Sequence, residues 1–492
     1  MHGSEREKPT MPMQRPKTKI ICTLGPSTST EETITAMVEA GMSVARLNLS
    51  HGSLDQHRES VTIIERVSER LGIPIGIMVD VPGIKYRTGP LGTGTLRLES
   101  GDTITLTSRD IVGTKDLVSV APEGIHRDAV PGKPVLLDDG LLELRVISVQ
   151  GQDVVCEVIR GGRLTERRGV ATPGSSSTRT FPDPKAIEAL KFAAEQNADF
   201  VAISNVTSAD DMIAARTILA ENGLETCLIA KIERAEALEH LDSILEASDS
   251  LMVARGDMGV EVRLARVPVI QKELIARCNE AGKPAITATQ MLESMVLAPV
   301  PTRAEVTDVA NAVFDGTDAV MLSGESSVGK FPVEAVRMMA EVAVEAEAAL
   351  PYERMIVEKR DQLQSQTDDA ISYDACQTAQ QLRAELIVAF TESGSSAGRV
   401  SKYRPMPPIL ALTPSRRVQR RLTLFWGVTP VTIPKVHTVD EFFEVGERMA
   451  ARKGGASPGS LVVLVAGLPI GVQGSTNLLR VLTIPPSNQV ST

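Results

Sequence analysis

The sequence predicts an α/β protein: a (β/α)8 TIM barrel with an inserted small β-barrel lid domain and a C-terminal open α/β domain. Three observations predict it. Eight short apolar runs alternate with amphipathic helical segments, the pattern of a closed parallel barrel. Their spacing breaks once, at a long stretch of short alternating segments punctuated by turn residues. After a polar stretch, a further set of apolar runs and helices closes the chain.

Taken in order, residues 1–16 are polar, charged and rich in proline, with no apolar core of a signal peptide, and read as a disordered tail. The barrel runs over 17–84 and 182–351. Its strands are expected at Lys19–Leu24, Val44–Leu49, Ile75–Val79, Phe200–Ile203, Cys227–Ile232, Leu251–Ala254, Ala285–Ala288 and Ala319–Leu322. Amphipathic spacing places helices at Glu31–Glu39, Leu54–Arg70, Lys185–Glu195, Val267–Glu280 and Pro332–Ala348. Residues 85–181 form the insert, with strands such as Thr95–Leu98, Thr103–Thr107, Val135–Leu137, Leu142–Val146 and Val154–Ile159. A lid over the barrel mouth is its natural role. Residues 352–368 read as a linker and 369–492 as the α/β domain. Strands of that domain are expected at Leu386–Phe390, Ile409–Leu412, Val428–Ile433, Leu461–Val465 and Leu479–Ile484.

Composition narrows the function. Of the 492 residues 42% are hydrophobic and 23% charged, an ordinary globular balance. A net charge of −10 and only 3% aromatics argue against nucleic-acid binding, which needs a basic stripe or stacking platforms. The longest apolar stretch, Leu461 to Val472, is too short to span a membrane. Five cysteines without CxxC pairing read as buried thiols in a reducing compartment, so the expected location is the cytoplasm. His126, His240 and His437 show no metal-ligand spacing.

The most informative segments are Leu228-Ile-Ala-Lys-Ile-Glu-Arg234 and Leu251-Met-Val-Ala-Arg-Gly-Asp-Met-Gly259. Each begins as a buried strand and ends in charge, which is costly in a protein interior unless paired or metal-bound. Glu233 and Asp257 are hard oxygen ligands suited to Mg²⁺, and Lys231 adds a positive charge beside them. Gly256 and Gly259 flank Asp257 where a helix begins, a place suited to an anion. In a barrel the strands' carboxyl ends carry the chemistry. Here they carry Arg46, Asn48, Ser50, Asp80, Lys231, Glu233, Asp257, Thr289, Ser323 and Glu325. The pattern points to metal-assisted chemistry on a phosphorylated or carboxylated small molecule. In the last domain, Thr391–Gly398 follows one strand and Gly467–Gly474 another, a pair of small-residue loops suited to a phosphate.

Read in order, several stretches resemble the pyruvate kinase family. They are Thr18-Lys-Ile-Ile-Cys-Thr-Leu-Gly-Pro26, Ala45-Arg-Leu-Asn-Leu-Ser-His-Gly52, Lys231-Ile-Glu233, Met252-Val-Ala-Arg-Gly-Asp-Met-Gly259, Ala288-Thr-Gln-Met-Leu-Glu-Ser-Met295, Pro301-Thr-Arg-Ala-Glu-Val306, Met321-Leu-Ser-Gly-Glu325 and Tyr403-Arg-Pro405. The resemblance implies phosphoryl transfer from phosphoenolpyruvate to ADP, giving pyruvate and ATP. It implies that Glu233 and Asp257 hold Mg²⁺, with a second Mg²⁺ arriving with the nucleotide. Lys231 and Arg46 would meet the transferred phosphoryl group, and the backbone N–H groups around Arg255, Gly256 and Asp257 would receive the substrate carboxylate. Thr289 would lie by the enol carbon, with Ser323 and Glu325 serving a proton-delivering water. Asn48, His51, Arg87 and Lys185 would face the nucleotide. Thr391, Ser393, Gly394, Ser395 and Ser396 would bind a phosphorylated effector, and the family is usually a homotetramer.

One segment departs from the family. Its pattern Asp-Thr-Lys-Gly-Pro-Glu-Ile-Arg-Thr-Gly stands here as Asp80-Val-Pro-Gly-Ile-Lys-Tyr-Arg-Thr-Gly89. The family's K⁺ ligands map to Asn48, Ser50, Asp80 and the Val81 carbonyl. Lys85 replaces the usual Glu, and an ammonium near Asp80 would take the place of K⁺, so K⁺ is expected not to be required. Simpler readings stand beside these: rim ion pairs for Glu233–Arg234 and Arg255–Asp257, a helix cap for Ser323–Glu325, and an N-cap for Ser393–Ser396. Two other function classes remain open: a Mg²⁺-dependent barrel lyase acting on phosphoenolpyruvate or 2-oxo acids, and a catalytically weak effector sensor.

Overall fold

The computed structural model describes residues 15–174, 181–469 and 476–486. The expected tail therefore lies outside the described residues except for Arg15 and Pro16. Arg15 is tied down, its Nη2 donating to the Val38 carbonyl at 2.8 Å. Residues 470–474 of the second small-residue loop also lie outside the described residues.

Eight parallel strands close a barrel in the order Lys19–Thr23, Ala319–Leu322, Ala285–Ala288, Ser250–Ala254, Cys227–Ile232, Phe200–Ile203, Gly76–Val81 and Met42–Asn48. Each expected run is a strand, and the bounds move by two residues at most. Nearly every residue in these strands is buried, as a sheet packed on both faces requires. The helices between them start at identifiable caps. Thr30 accepts from the Thr33 N–H, and Asp183 accepts from the Ala186 N–H with Pro184 at the first helical position. Helix Val267–Ala281 ends at Gly282, whose φ of +68° is the left-handed stop that glycine adopts without strain.

Two compact units make up the chain, residues 46–58 with 77–290 and residues 1–45 with 59–76 and 291–492. These groupings follow packing, whereas the boundaries expected above follow spacing along the chain. Within the first, the insert is a closed seven-stranded barrel with a separate two-stranded sheet pairing Thr95–Leu98 with Gly162–Thr165. Its strands Tyr86–Thr88, Leu117–Ala121 and Gly169–Ala171 were not among those expected. They are three to five residues long, too short to show a period. The insert has its own core, including Ile104, Leu106, Val118, Leu144 and Val154.

In the second unit, a five-stranded sheet runs in the order Val428–Thr432, Ile409–Thr413, Leu386–Phe390, Leu461–Gly467 and Thr476–Thr483, the last strand antiparallel. Helices cover both faces, giving two separate apolar clusters. The polar stretch expected as a linker is partly helical: Tyr352–Glu358 forms a helix and buries Ile356 against the α/β core.

Candidate active site

Three neighbouring barrel strands, Gly76–Val81, Phe200–Ile203 and Cys227–Ile232, bring Asp80, Ser204 and Lys231 together. Lys231 Nζ lies 2.7 Å from Ser204 Oγ, 3.2 Å from Asp80 Oδ1 and 3.0 Å from Glu233 Oε1. Asp80 Oδ2 accepts from Arg46 Nε at 2.8 Å, and Ser204 Oγ donates to Asp80 Oδ1 at 3.3 Å. Asp80 and Glu233 are each 1% exposed. Burial pushes the Asp80 carboxyl up, but Arg46 and Lys231 outweigh it and hold it below the ordinary carboxylate range. Burial likewise pushes Lys231 down, and Asp80 and Glu233 reverse this, leaving the ammonium more firmly protonated than a free lysine.

Glu233 Oε2 accepts from the Asn205 N–H at 2.7 Å. Its Oε1, although close to Lys231, is a buried oxygen that receives no hydrogen bond. Asp257 lies within hydrogen-bonding distance of Glu233. Two adjacent carboxylates fit a hard divalent cation. Among the described residues no group of three or more His, Cys, Asp or Glu could hold a metal. The chain thus supplies two carboxylates, and substrate or water oxygens must complete the shell, the usual arrangement for Mg²⁺.

Glu233 and Asp257 face a cavity of about 250 Å³. Barrel residues Asn205, Arg234 and Glu261 and insert residues Arg87, Arg167 and Arg168 line it. Lys85 also lines it and corrects the expectation for this residue: its Nζ pairs with Asp257 Oδ1 at 2.6 Å, not with Asp80. Asp80 already has Arg46 and Lys231, whereas burial leaves Asp257 in need of a counter-charge. Burial pushes Asp257 up, and Lys85 brings it below the usual range.

Thr289 follows the strand Ala285–Ala288 with φ +68°, and Gln290 has φ +53°. A β-branched residue in this region costs about 1–3 kcal/mol. Gly256 N–H donates to Thr289 Oγ1 at 2.7 Å. Arg255 donates to the Thr289 carbonyl from Nη2 at 2.7 Å and from Nε at 3.3 Å, and to the Gln290 carbonyl at 3.1 Å. The Arg255 guanidinium and the Gly256 N–H are thus both turned to the loop that carries Thr289.

The remaining expected residues are scattered. Arg87 lines the cavity and donates to the Arg167 carbonyl, but Asn48, His51 and Lys185 are not in its walls. His51 and Lys185 are exposed. Asn48 Oδ1 accepts from the Ser50 N–H at 3.2 Å, and Val81 is buried in its strand. In the other unit, fully buried Glu325 accepts from the Ser323 and Leu292 N–H groups at 2.7 and 3.0 Å. The short helix Gly324–Ser327 that begins here has no side-chain cap bond. Ser323 Oγ is buried without a partner. In the C-terminal loop, Thr391 Oγ1 accepts from the Gly394 N–H, and Ser396 Oγ bonds Thr476 Oγ1 at 2.6 Å. Ser393 Oγ donates to Ser395 Oγ at 3.1 Å, and Gly394 takes φ +95° to let helix Ser395–Lys402 begin. Sequence reasoning missed Ser204 and Asn205. Both directly follow the strand Phe200–Ile203, so the strand-end rule that found the other residues would have found them.

Comparison with known proteins agrees with this geometry. A family profile for the pyruvate kinase barrel domain matches residues 15–336, and one for the pyruvate kinase alpha/beta domain matches residues 369–482. A pyruvate kinase of Clostridium acetobutylicum is 42% identical over 470 residues, 95% of this chain and 99% of its own. Pyruvate kinases of Staphylococcus epidermidis and Staphylococcus aureus are 42% and 41% identical over 467 residues, 94% of this chain and 80% of theirs. The chain belongs to the pyruvate kinase family.

Proposed function

We propose that this chain transfers the phosphoryl group of phosphoenolpyruvate to ADP, giving pyruvate and ATP in the cytoplasm. One observation carries the reading: a protonated Lys231 is fixed by Asp80, Ser204 and Glu233 behind the carboxylates of a polar cavity. Lys231 stabilises charge on the phosphoryl group in flight, and Arg46 orients the same group. In such transfers positioning and electrostatics supply most of the rate. Glu233 and Asp257 would hold Mg²⁺, which offsets the charge of the substrate's phosphate and carboxylate oxygens when bound. A second ion enters with the nucleotide. Arg87 approaches the nucleotide from the insert side of the cavity, with Asn48, His51 and Lys185 further out. Thr289 lies by the enol carbon, and Ser323 offers its unpartnered hydroxyl to a water while Glu325 holds the Ser323 backbone.

The test is pyruvate release from phosphoenolpyruvate, coupled to lactate dehydrogenase, with and without ADP. ADP-dependent turnover is expected. Release without ADP would identify a lyase or phosphatase instead, and no release under either condition would leave a sensor.

Regulation and assembly belong to the same reading. The chain acts as a homotetramer, and Thr391, Ser393, Gly394, Ser395 and Ser396 receive one phosphate of an effector. Glu392 in that loop repels a second phosphate by about 1 kcal/mol or more at a few ångströms. A monophosphate such as AMP or a sugar monophosphate should therefore activate more strongly than fructose 1,6-bisphosphate. Phosphoenolpyruvate saturation curves with each effector decide this. A stronger response to the bisphosphate, or an unchanged monophosphate response in Ser393→Asp, would refute it.

A further inference from the structure

We propose that Arg255 is a positioning residue: it acts on the reaction through Thr289, by holding that residue's backbone in the left-handed conformation that aims its hydroxyl. The proposal rests on the reading that Thr289 serves the reaction.

Left-handed backbone at a threonine persists only when the surroundings over-determine it. Here two consecutive non-glycine residues, Thr289 and Gln290, have positive φ. Among the described residues, one dipeptide, Arg255-Gly256, supplies four hydrogen bonds to this turn. Arg255 donates three hydrogen bonds to the Thr289 and Gln290 carbonyls, and the Gly256 N–H holds the Thr289 hydroxyl itself. Bonds from a guanidinium are charge-assisted and so suited to offset strain. The far side of the guanidinium reaches Gln271 Oε1 at 3.5 Å, on the long helix Val267–Ala281, which ties the clamp to a rigid element. The approach at Gly256 is close: a Cβ there would stand 3.3 Å from Thr289 Oγ1. Arg255 directly precedes the Gly256-Asp257 pair, so the clamp also links the Asp257 carboxylate and the Thr289 hydroxyl in one short stretch of chain. A lysine could replace the charge but not the fork that reaches two carbonyls at once.

The experiment is a double-mutant cycle of Arg255→Ala and Thr289→Ala, followed by kcat and KM for phosphoenolpyruvate. Arg255→Ala should lower kcat about 10- to 100-fold with less than about a threefold change in KM, because misplacing a reacting group costs rate rather than binding. The double variant should be no slower than Thr289→Ala alone. Added guanidinium ion should restore part of the kcat of Arg255→Ala and none in the double variant, a rescue that a merely structural role would not give. Arg255→Lys, which retains the charge, carries the same cycle if Arg255→Ala does not fold. Losses that multiply in the double variant, or a raised KM at unchanged kcat, would overturn the positioning role while leaving the site reading intact. Normal turnover of Thr289→Ala would instead remove the site reading and this proposal together.

Discussion

Two buried charge networks in this protein treat lysine in opposite ways. At the barrel mouth, the cations Arg46, Lys85 and Lys231 meet the carboxylates Asp80, Glu233 and Asp257 in direct pairs. Lys231 there is held above the ordinary lysine value despite burial. Where strand Lys19–Thr23 meets the α/β domain, Lys17 Nζ bonds neutral oxygens among the described residues, the Tyr352 hydroxyl and the Met406 carbonyl, and sits over the Trp426 ring. The nearby Glu347 spends its oxygens on the Lys17 and Thr18 N–H groups. Burial therefore wins, and Lys17 drops to about 8. Lys359, bonded to the Lys402 carbonyl, is pushed down by burial and by Arg404 to about 7. Burial acts on all three lysines, and Glu347 and Asp318 oppose it only weakly at Lys17 and Lys359; what differs is whether a carboxylate pairs directly with the ammonium. A fixed charge suits catalysis, which needs the same charge at every turnover, whereas the joint needs only to hold two parts together.

The largest effect is expected from removing the fixed charge. Lys231→Met should lower kcat by about 10³-fold or more with little change in phosphoenolpyruvate binding, because the charge matters most in the transition state. Near-normal turnover would break the comparison at its catalytic end. Asp80→Asn leaves Arg46 and Lys231 without their shared carboxylate, and losing one partner of a buried ion pair costs about 3–5 kcal/mol. Urea unfolding should show that loss alongside reduced activity, and an unchanged midpoint would mean that Lys231 is held by Ser204 and Glu233 alone.

Lys85→Glu tests the balance of three cations against three carboxylates. The unmodified protein should show little or no K⁺ activation, and the variant should become K⁺-dependent, because a net negative mouth needs a cation from solution. Activity in K⁺-free buffer decides it, and strong K⁺ activation of the unmodified protein would sink the idea.

The smallest effect concerns the joint. A lysine whose folded value lies near 8 against 10.5 unfolded carries its full cost below pH 8 and sheds it as pH rises toward 10.5. The unfolded chain binds more protons in that window, so this group makes the protein more stable as pH rises. Melting temperature followed from pH 7.5 to 9.5 should carry this rising contribution, and Lys17→Met should remove it. Trp426, the single tryptophan, lies 5.1 Å from the Lys17 ammonium and should report the titration in its fluorescence. Parallel melting profiles for the two proteins would show that Lys17 does not titrate there.

Much of this was legible in the sequence because it is local. Runs such as Phe200–Ile203 and Ala319–Leu322 are apolar throughout and bounded by polar residues, so each marks a buried strand wherever it packs. The charged residues ending those runs mark the barrel mouth for the same reason. The insert's shortest strands, Tyr86–Thr88 and Gly169–Ala171, escaped because they exist through pairing with each other rather than through their own pattern.

By itself, then, the sequence determined the order of strands and helices and the inserted domain, and it singled out Lys231, Glu233 and Asp257 as candidates for the chemistry. Only the tertiary structure decided which charge meets which: Lys85 on Asp257 rather than Asp80, Arg255 on the Thr289 loop, Lys231 held above the ordinary lysine value and Lys17 below it. The physical reason is that strand formation is set within a few residues, whereas an ionisable group's state is set by partners that only folding brings near.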